Sequence, residues 1–405
     1  MGLHLRPITT EEFDAFRHTM GVPFGFDPTP EHNDRARHIA ELERLRAAFD
    51  GPHMVATFGA FSLTLTVPGS TIPTAGTTMV SVLPTHRRRG LLRRFMAQHL
   101  GELHEGGEPL AALWASESSI YGRFGYGPAC DRVLMRLDKP FAHMQHPVDI
   151  HGTMRLVDAQ EALATFPAIF AAIAARRPGM YARRTAWWQH RTLDDPPDQR
   201  RGATAQRCVM HVLEGQPVGY VLYRTQYLPQ ENLTVVWVGE LIATTPAAEK
   251  ALWQFVFGID LIASIRAQNR PLDDPLCWWL EQPRRMQRRI EDGLWVRVVN
   301  LGAALTCRRY TSPGRLLLRV VDDLCPWNDG VYCLEVGLDG VGHCTRTSAA
   351  PELELTAYAL GAGYLGGHRF GALARAGLVS GTSEALQRAD TMFAWDPLPW
   401  CHEVF

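Results

Sequence analysis

Along the first 140 residues the apolar positions switch between two periods. Met54–Val67 and Thr77–Leu83 alternate around Pro68-Gly69, which predicts neighbouring strands. From Leu91 the spacing changes. Leu91, Leu92, Phe95, Met96, His99, Leu100 and Leu103 recur at steps of three and four, one face of a helix. Leu110–Ala115 then reads as a short apolar strand, Tyr121–Pro128 as a glycine-rich turn and Asp131–Leu137 as a further strand. Strand, basic turn, helix, strand, glycine-rich loop and strand make one α/β unit. Upstream of it, Leu3–Ile8 reads as a strand, and Thr10 can cap a helix over Glu11–Met20. Gly21–Pro30 reads as a loop, and Glu31–Phe49 is helical in composition.

The pattern then restarts. Met154–Val157 predicts a strand, Glu161–Arg176 a helix, and Val209–Leu213 with Val218–Tyr223 a hairpin closed by Glu214-Gly215-Gln216-Pro217. Val235–Ile242 is a strand, and Pro246–Phe257 a helix whose proline sits where its missing N–H costs little. Strand, proline, helix repeats the order of Thr78–Phe95. However, Ala247-Ala248-Glu249-Lys250-Ala251 stands where the first copy has His86-Arg87-Arg88-Arg89-Gly90. This is a degenerate repeat without a phosphate grip, although any two α/β segments share this much. From about Arg297 the texture is α+β. Arg315–Val321 and Val331–Val336 flank Asn328-Asp329-Gly330, Leu353–Leu360 and Leu373–Ala376 read as strand and helix, and Ser383–Phe393 is a helix before the aromatic tail Trp395 to Phe405. The expected domains are 1–150, 151–296 and 297–405.

The composition narrows the function classes. Hydrophobic residues make up 46% and charged residues 20% of the 405, enough apolar surface for folded domains. A net charge of -1, from 41 basic and 42 acidic residues, counts against a general nucleic-acid binder. The eight cysteines form no C-x-x-C pair, so zinc or redox sites have no support in spacing and reduced thiols of a cytoplasmic protein are expected. No signal-peptide core is visible, and no run approaches the ~18–20 apolar residues of a membrane span.

The chemistry concentrates in Val80-Ser81-Val82-Leu83-Pro84-Thr85-His86-Arg87-Arg88-Arg89-Gly90-Leu91-Leu92. A strand delivers the chain to a turn that opens a helix whose first N–H groups lack intrahelical partners. Those donors and the helix dipole make an anion site. Gly90 allows close backbone approach, and the arginines can pair with phosphate. The frame Arg87-x-x-Gly90-x-Leu92 is similar to the acyl-CoA signature of the GNAT acetyltransferases, with leucine in place of the last small residue. Thr71-Ile72-Pro73-Thr74-Ala75-Gly76, the arginine run, Ala115-Ser116-Glu117-Ser118-Ser119-Ile120-Tyr121-Gly122-Arg123-Phe124-Gly125-Tyr126-Gly127-Pro128-Ala129 and Asp292-Gly293-Leu294-Trp295-Val296-Arg297 together resemble the actinobacterial Eis (enhanced intracellular survival) acetyltransferases over the full length.

The resemblance implies two GNAT-type α/β domains, the second degenerate and without cofactor, and a sterol-carrier-protein-like α+β domain. It implies acetyl-CoA bound by Val80, Ser81, Val82, Arg87, Arg88, Arg89, Gly90, Leu91, Leu92, Glu117 and Ser118. It also implies a homohexamer that acetylates amines of aminoglycosides or related polycations, and so antibiotic resistance. By position it gives Tyr126 as the general acid and the C-terminal carboxylate of Phe405 as the base. Val404 departs from the acidic residue expected there, so Glu403 becomes the candidate substrate contact. Asp27 and Glu31, with Asp34, could supply negative charge to a cationic substrate.

Other readings stay open at this point: a protein or peptide lysine acetyltransferase, or a non-catalytic acyl-CoA or lipid-binding protein. Gly361-Ala362-Gly363-Tyr364-Leu365-Gly366 matches a dinucleotide fingerprint but lacks the surrounding βαβ unit.

Overall fold

A computed structural model describes residues 3–148 and 151–405. The chain forms two compact units, and neither follows the linear division at 150 and 296. One combines Met1–Cys130 with Gly293–Pro399 and Val404–Phe405, and the other combines Asp131–Asp292 with Trp400–Glu403.

The first unit begins with strands β1 (His4–Pro7), β2 (Arg46–Asp50), β3 (His53–Val67), β4 (Ser70–Val82), β5 (Leu110–Trp114) and β6 (Gly127–Pro128). The helices of this opening segment are α1 (Phe13–Phe24), α2 (Pro30–Arg37), α3 (Leu91–Glu105) and the single turn α4 (Ser118–Tyr121). β3 and β4 are a long antiparallel hairpin, and β4 runs parallel to β5 through the α3 crossover. The predicted stripe of α3 is buried: Leu91, Phe95, Met96, His99, Leu100 and Leu103 face the sheet. They pack with Val55, Phe58, Ala75 and Leu113, and each fully buried apolar side chain of this kind contributes about 1.5–3 kcal/mol.

Two expectations fail here. Glu31–Phe49 is not one helix: α2 ends at Arg37, and Arg46–Asp50 is a strand paired with both β1 and β3. Ala47, Ala48 and Phe49 are buried there, so pairing on both sides overrides the helical composition. Nor is Gly21–Pro30 all loop, since α1 continues to Phe24 with Pro23 inside it.

The second unit holds β7 (Asp131–Asp138), β8 (Thr153–Val157), β9 (Arg207–Leu213), β10 (Gln216–Leu228), β11 (Leu233–Ala243), β12 (Ser264–Arg270) and β13 (Gln287–Asp292), in the order β13-β7-β12-β11-β10-β9-β8. Asp131–Asp138, read above as closing the first α/β unit, therefore belongs to this sheet. The helix Pro246–Gly258 connects parallel β11 and β12, as α3 connects β4 and β5, and is capped by Thr245 through the Ala248 N–H.

The chain then returns to the first unit. β14 (Leu294–Val298) is buried along its whole length and lies between β5 and β6, completing a sheet ordered β1-β2-β3-β4-β5-β14-β6. After it, β15 (Gly314–Val321), β16 (Gly330–Val336), β17 (Gly342–Arg346), β18 (Leu353–Thr356) and β19 (Val379–Gly381) form a separate five-stranded sheet. The helix Ala357–Tyr364 lies close on β14. A Cβ at Gly361 would come within 2.2 Å of the Val296 carbonyl, so this glycine serves backbone packing rather than a dinucleotide. Among the described residues no helix is long and apolar enough to cross a membrane, and no metal-ligand cluster occurs.

Candidate active site

β4 and β5 pair only over Thr74–Gly76. Beyond that point β4 carries a bulge. Its register with β3 shifts, and Met79 takes a left-handed φ of 53°. Thr57 holds the bulge, donating its hydroxyl to the Met79 carbonyl at 2.7 Å and sharing a 3.0 Å hydrogen bond with Ser81. The strands separate there and open a cleft of about 770 Å³ in the first unit.

The cleft collects most of the residues expected to hold the cofactor. Val80, Ser81 and Val82 line it from β4, and Arg87, Arg88, Gly90, Leu91 and Leu92 from the turn and the first residues of α3. Gly90 caps α3 at φ 76°, and Arg88 is also left-handed at φ 62°. This turn presents the first N–H groups of a 15-residue helix to the cleft beside two guanidinium groups, the donor set a pyrophosphate needs. Glu117 lines the opposite wall with Ser116 and Ile120.

Two members of that expected set fall outside the cleft lining. Arg89 turns back to Asp50 at 3.5 Å, where His86 also binds at 3.3 Å. These two neighbours, His86 first, hold the Asp50 carboxyl below its ordinary range, so Arg89 is spent on bracing the turn. Ser118 starts α4 but does not face the cleft.

The run expected to supply the general acid holds two tyrosines that sit differently. Tyr126 is fully buried, and its hydroxyl shares a 3.1 Å hydrogen bond with Thr77. Thr77 in turn meets His99 Nε2 at 3.1 Å. Burial raises the Tyr126 phenol and pushes the His99 imidazole down to about 3, so this chain of groups is neutral and internal. Tyr121, five residues earlier at the end of α4, lines the cleft instead. It stacks edge-on against Tyr126 with centroids 6.2 Å apart. Burial raises the Tyr121 phenol, and a hydrogen bond with Ser116 offsets part of that, so it carries its proton at neutral pH. The sequence offered both tyrosines in one run. The signal that separates them is that Tyr121 ends a helical turn just after β5, whereas Tyr126 adjoins strand β6.

Phe405 reaches the same sheet: a Cβ placed on Gly76 would meet its ring at 3.1 Å. Asp27 is exposed three residues beyond Phe24, which with Pro23 lines the cleft. Glu31 lies in the first turn of α2, where its own amide and the Thr29 hydroxyl hold its carboxyl low. Glu403 does not supply a free carboxylate. It lies in the second unit between Arg183 Nε at 3.0 Å and Arg191 Nε at 2.9 Å. Burial alone would raise its carboxyl, but Arg183 leads the groups that hold it well below the usual range. Its charge is paired with two arginines of its own unit.

A smaller cleft of about 300 Å³ lies along α3, but its charges are satisfied. Arg44 pairs with Glu108 at 2.8 Å and Arg46 with Glu102 at 3.4 Å, which leaves little for an anion.

Comparison with known proteins gives the family. Models described as acetyltransferase (GNAT) domains match residues 4–129 and 179–298, and a sterol carrier protein domain model matches 301–402. An uncharacterized N-acetyltransferase of Streptomyces avermitilis is 37% identical over 100% of both chains. N-acetyltransferase Eis of Mycobacterium tuberculosis is 37% identical over 85% of this chain and 84% of its own. The crystal structure of Eis1 from Mycobacterium abscessus superposes with a TM-score of 0.86 at 31% identity, covering 99% of this chain and 100% of that one. A GCN5-related N-acetyltransferase from Anabaena variabilis shares the fold at 21% identity and a TM-score of 0.87, with 100% of both chains covered.

Proposed function

Because this chain belongs to the Eis-type GNAT N-acetyltransferases, with two GNAT domains and a sterol-carrier-like domain, we propose that its cleft binds acetyl-CoA and that the acetyl group passes directly to a primary amine of a small polycationic acceptor such as an aminoglycoside. The observation that carries this reading is the parting of β4 from β5 beneath the amino end of α3, with Arg87 and Arg88 at the mouth. Acetyl-CoA, when bound, supplies an acetyl group activated as a thioester.

The protein's own residues account for the remaining steps. Arg87, Arg88 and the first amides of α3 hold the phosphates. The free edge of Val80–Val82 offers amide donors to the negative charge that develops during transfer. The attacking nitrogen must be neutral, and an alkylammonium of pKa ~10 has to lose a proton first. The carboxylate of Phe405 is the proposed base. A group of pKa ~3.5 can serve only if it is partly desolvated, and packing of its ring against Gly76 favours that. Tyr121 donates its proton to the sulfur as the carbon–sulfur bond breaks and the carbon–nitrogen bond forms. Asp27 is the proposed acidic contact for a cationic acceptor.

The test is thiol release from acetyl-CoA against a panel of aminoglycosides, polyamines and lysine peptides. Release that depends on aminoglycosides or polyamines supports the reading, and release with peptides alone would move the acceptor to protein lysine. If calorimetry finds no coenzyme A binding, and charge reversal at Arg87 and Arg88 changes nothing, the cleft is not a cofactor site. A hexamer is part of the same proposal and is checked by sedimentation velocity.

A further inference from the structure

The cleft has one wall that no GNAT element provides. Asp323 and Leu324, which follow β15 in the sterol-carrier-like part of the first unit, line it beside Arg123 and Phe124. We propose that this segment is a working wall of the cofactor site, so that the sterol-carrier-like domain takes part in binding coenzyme A. This rests on reading the cleft as the coenzyme site.

Three observations carry it. The first is packing. Leu324 and Trp327 lie against the core formed by α3 and the first sheet, and Cys325 between them is fully buried within it. The segment is therefore built into the first core and does not merely rest on its surface.

The second is anchoring. Arg297, fully buried on β14, donates from Nη2 to both carboxylate oxygens of Asp322, at 2.7 and 2.8 Å. Asp322 accepts from the Cys325 amide at 3.0 Å. Asn328 donates to the carbonyls of Val298 and Val299, and Trp327 Nε1 to that of Val299 at 2.8 Å. A buried, charge-paired network of this kind favours one conformation, because releasing the carboxylate, the guanidinium Nη2 or the Asn328 amide leaves a further buried polar group unsatisfied. Asp323 and Leu324 are thus fixed at the cleft by residues that do not enter it, and Arg297 is a positioning residue.

The third is chemistry. Leu324 gives an apolar face of the kind that a pantetheine arm lies along. Asp323 and Glu117 are the exposed carboxylates of the cleft lining, which also holds Arg87, Arg88, Arg93 and Arg123. A carboxylate there repels phosphate and accepts from amide or amine N–H groups, so it directs the diphosphate toward Arg87 and Arg88.

Hydrogen exchange on the full chain with and without coenzyme A tests the proposal. Protection is expected at residues 80–92 and also at 322–328. Protection at 80–92 alone overturns this inference and leaves the cofactor reading intact, whereas protection at neither overturns both. Leu324→Ala provides a second measurement. It is expected to weaken coenzyme A about fivefold, measured by calorimetry on folded protein, beside a modest fall in melting temperature from the lost packing. Unchanged affinity counts against the wall. Arg297→Lys keeps the charge but loses the fixed geometry of the guanidinium. The expected result is a KM for acetyl-CoA raised several-fold with the amine KM unchanged. Equal changes in both constants would mark Arg297 as structural only.

Discussion

At the scale of single residues, the two tyrosines of one short run occupy different surroundings, and the proposed general acid is Tyr121. Tyr121 lines the cleft, while the Tyr126 hydroxyl is locked onto Thr77. Tyr121→Phe should therefore lower kcat by about 100-fold, with coenzyme A affinity little changed. Tyr126→Phe should cost about 1 kcal/mol of stability, read by urea unfolding, and leave turnover within about threefold. The reverse pattern would return the acid to Tyr126. His99, at the far end of the same internal chain, makes a pH prediction. Its imidazole sits near 6.5 in an unfolded chain and at about 3 here, so the unfolded state takes up protons first on acidification. Its contribution is complete above about pH 6.5 and falls by about 1.4 kcal/mol per pH unit from there toward pH 3. Glu249, lifted to about 7 by burial beside Arg270, acts with the opposite sign, so the total slope is mixed. The comparison of wild type with His99→Gln removes that complication. Between about pH 7 and pH 5.5 the variant should lose about 1 kcal/mol less than the wild type. Equal losses would mean that His99 is not held neutral.

At the scale of elements, the anion site depends on one backbone conformation. Gly90 caps α3 at φ 76°, and an added Cβ would meet nothing within 4 Å. Substitution is therefore penalised by conformation rather than by space. Gly90→Ala should cost about 1 kcal/mol and weaken coenzyme A by about tenfold as the turn relaxes, and Gly90→Asn should recover most of both, since asparagine tolerates the left-handed region. Calorimetry and thermal melting read the two effects, and an alanine variant with full affinity would separate the turn from binding. The same element shows what a sequence can disclose. The α3 stripe, the Glu214-Gly215 hairpin and the Pro246–Gly258 helix were legible because each is written in local spacing and turn chemistry. β2 was not, because its helical composition hid a strand that pairs locally with β3 and on its other side with β1, which lies about forty residues earlier. The cleft mouth was legible from Arg87 and Gly90. The turning away of Arg89 and the separation of Tyr121 from Tyr126 depend on Asp50 and Thr77, which lie 39 and 49 positions away in the chain and which no local pattern announces.

At the scale of the whole molecule, the first unit is discontinuous, and its sheet is closed by a strand that arrives late. β14 lies between β5 and β6, pairing Leu294–Val298 against Trp114–Leu110. A fragment ending at residue 150 would leave the apolar edge of β5 unpaired, a template for aggregation. The two borders of the interruption nevertheless touch, since the Gly293 amide donates to the Cys130 carbonyl at 2.9 Å. A chain in which a short glycine-serine linker replaces 131–292, and which ends at Pro399 because Trp400–Glu403 belong to the other unit, keeps every residue that lines the cleft. It should melt in one cooperative transition and bind coenzyme A within about tenfold of the intact protein, whereas residues 1–150 alone should show neither property. Turnover is not the readout, because Phe405 is missing from the joined chain. Coenzyme binding by 1–150 alone would show that β14 and the wall at Leu324 are dispensable. Failure of the joined chain to melt cooperatively would show that the first unit draws its stability from residues outside itself.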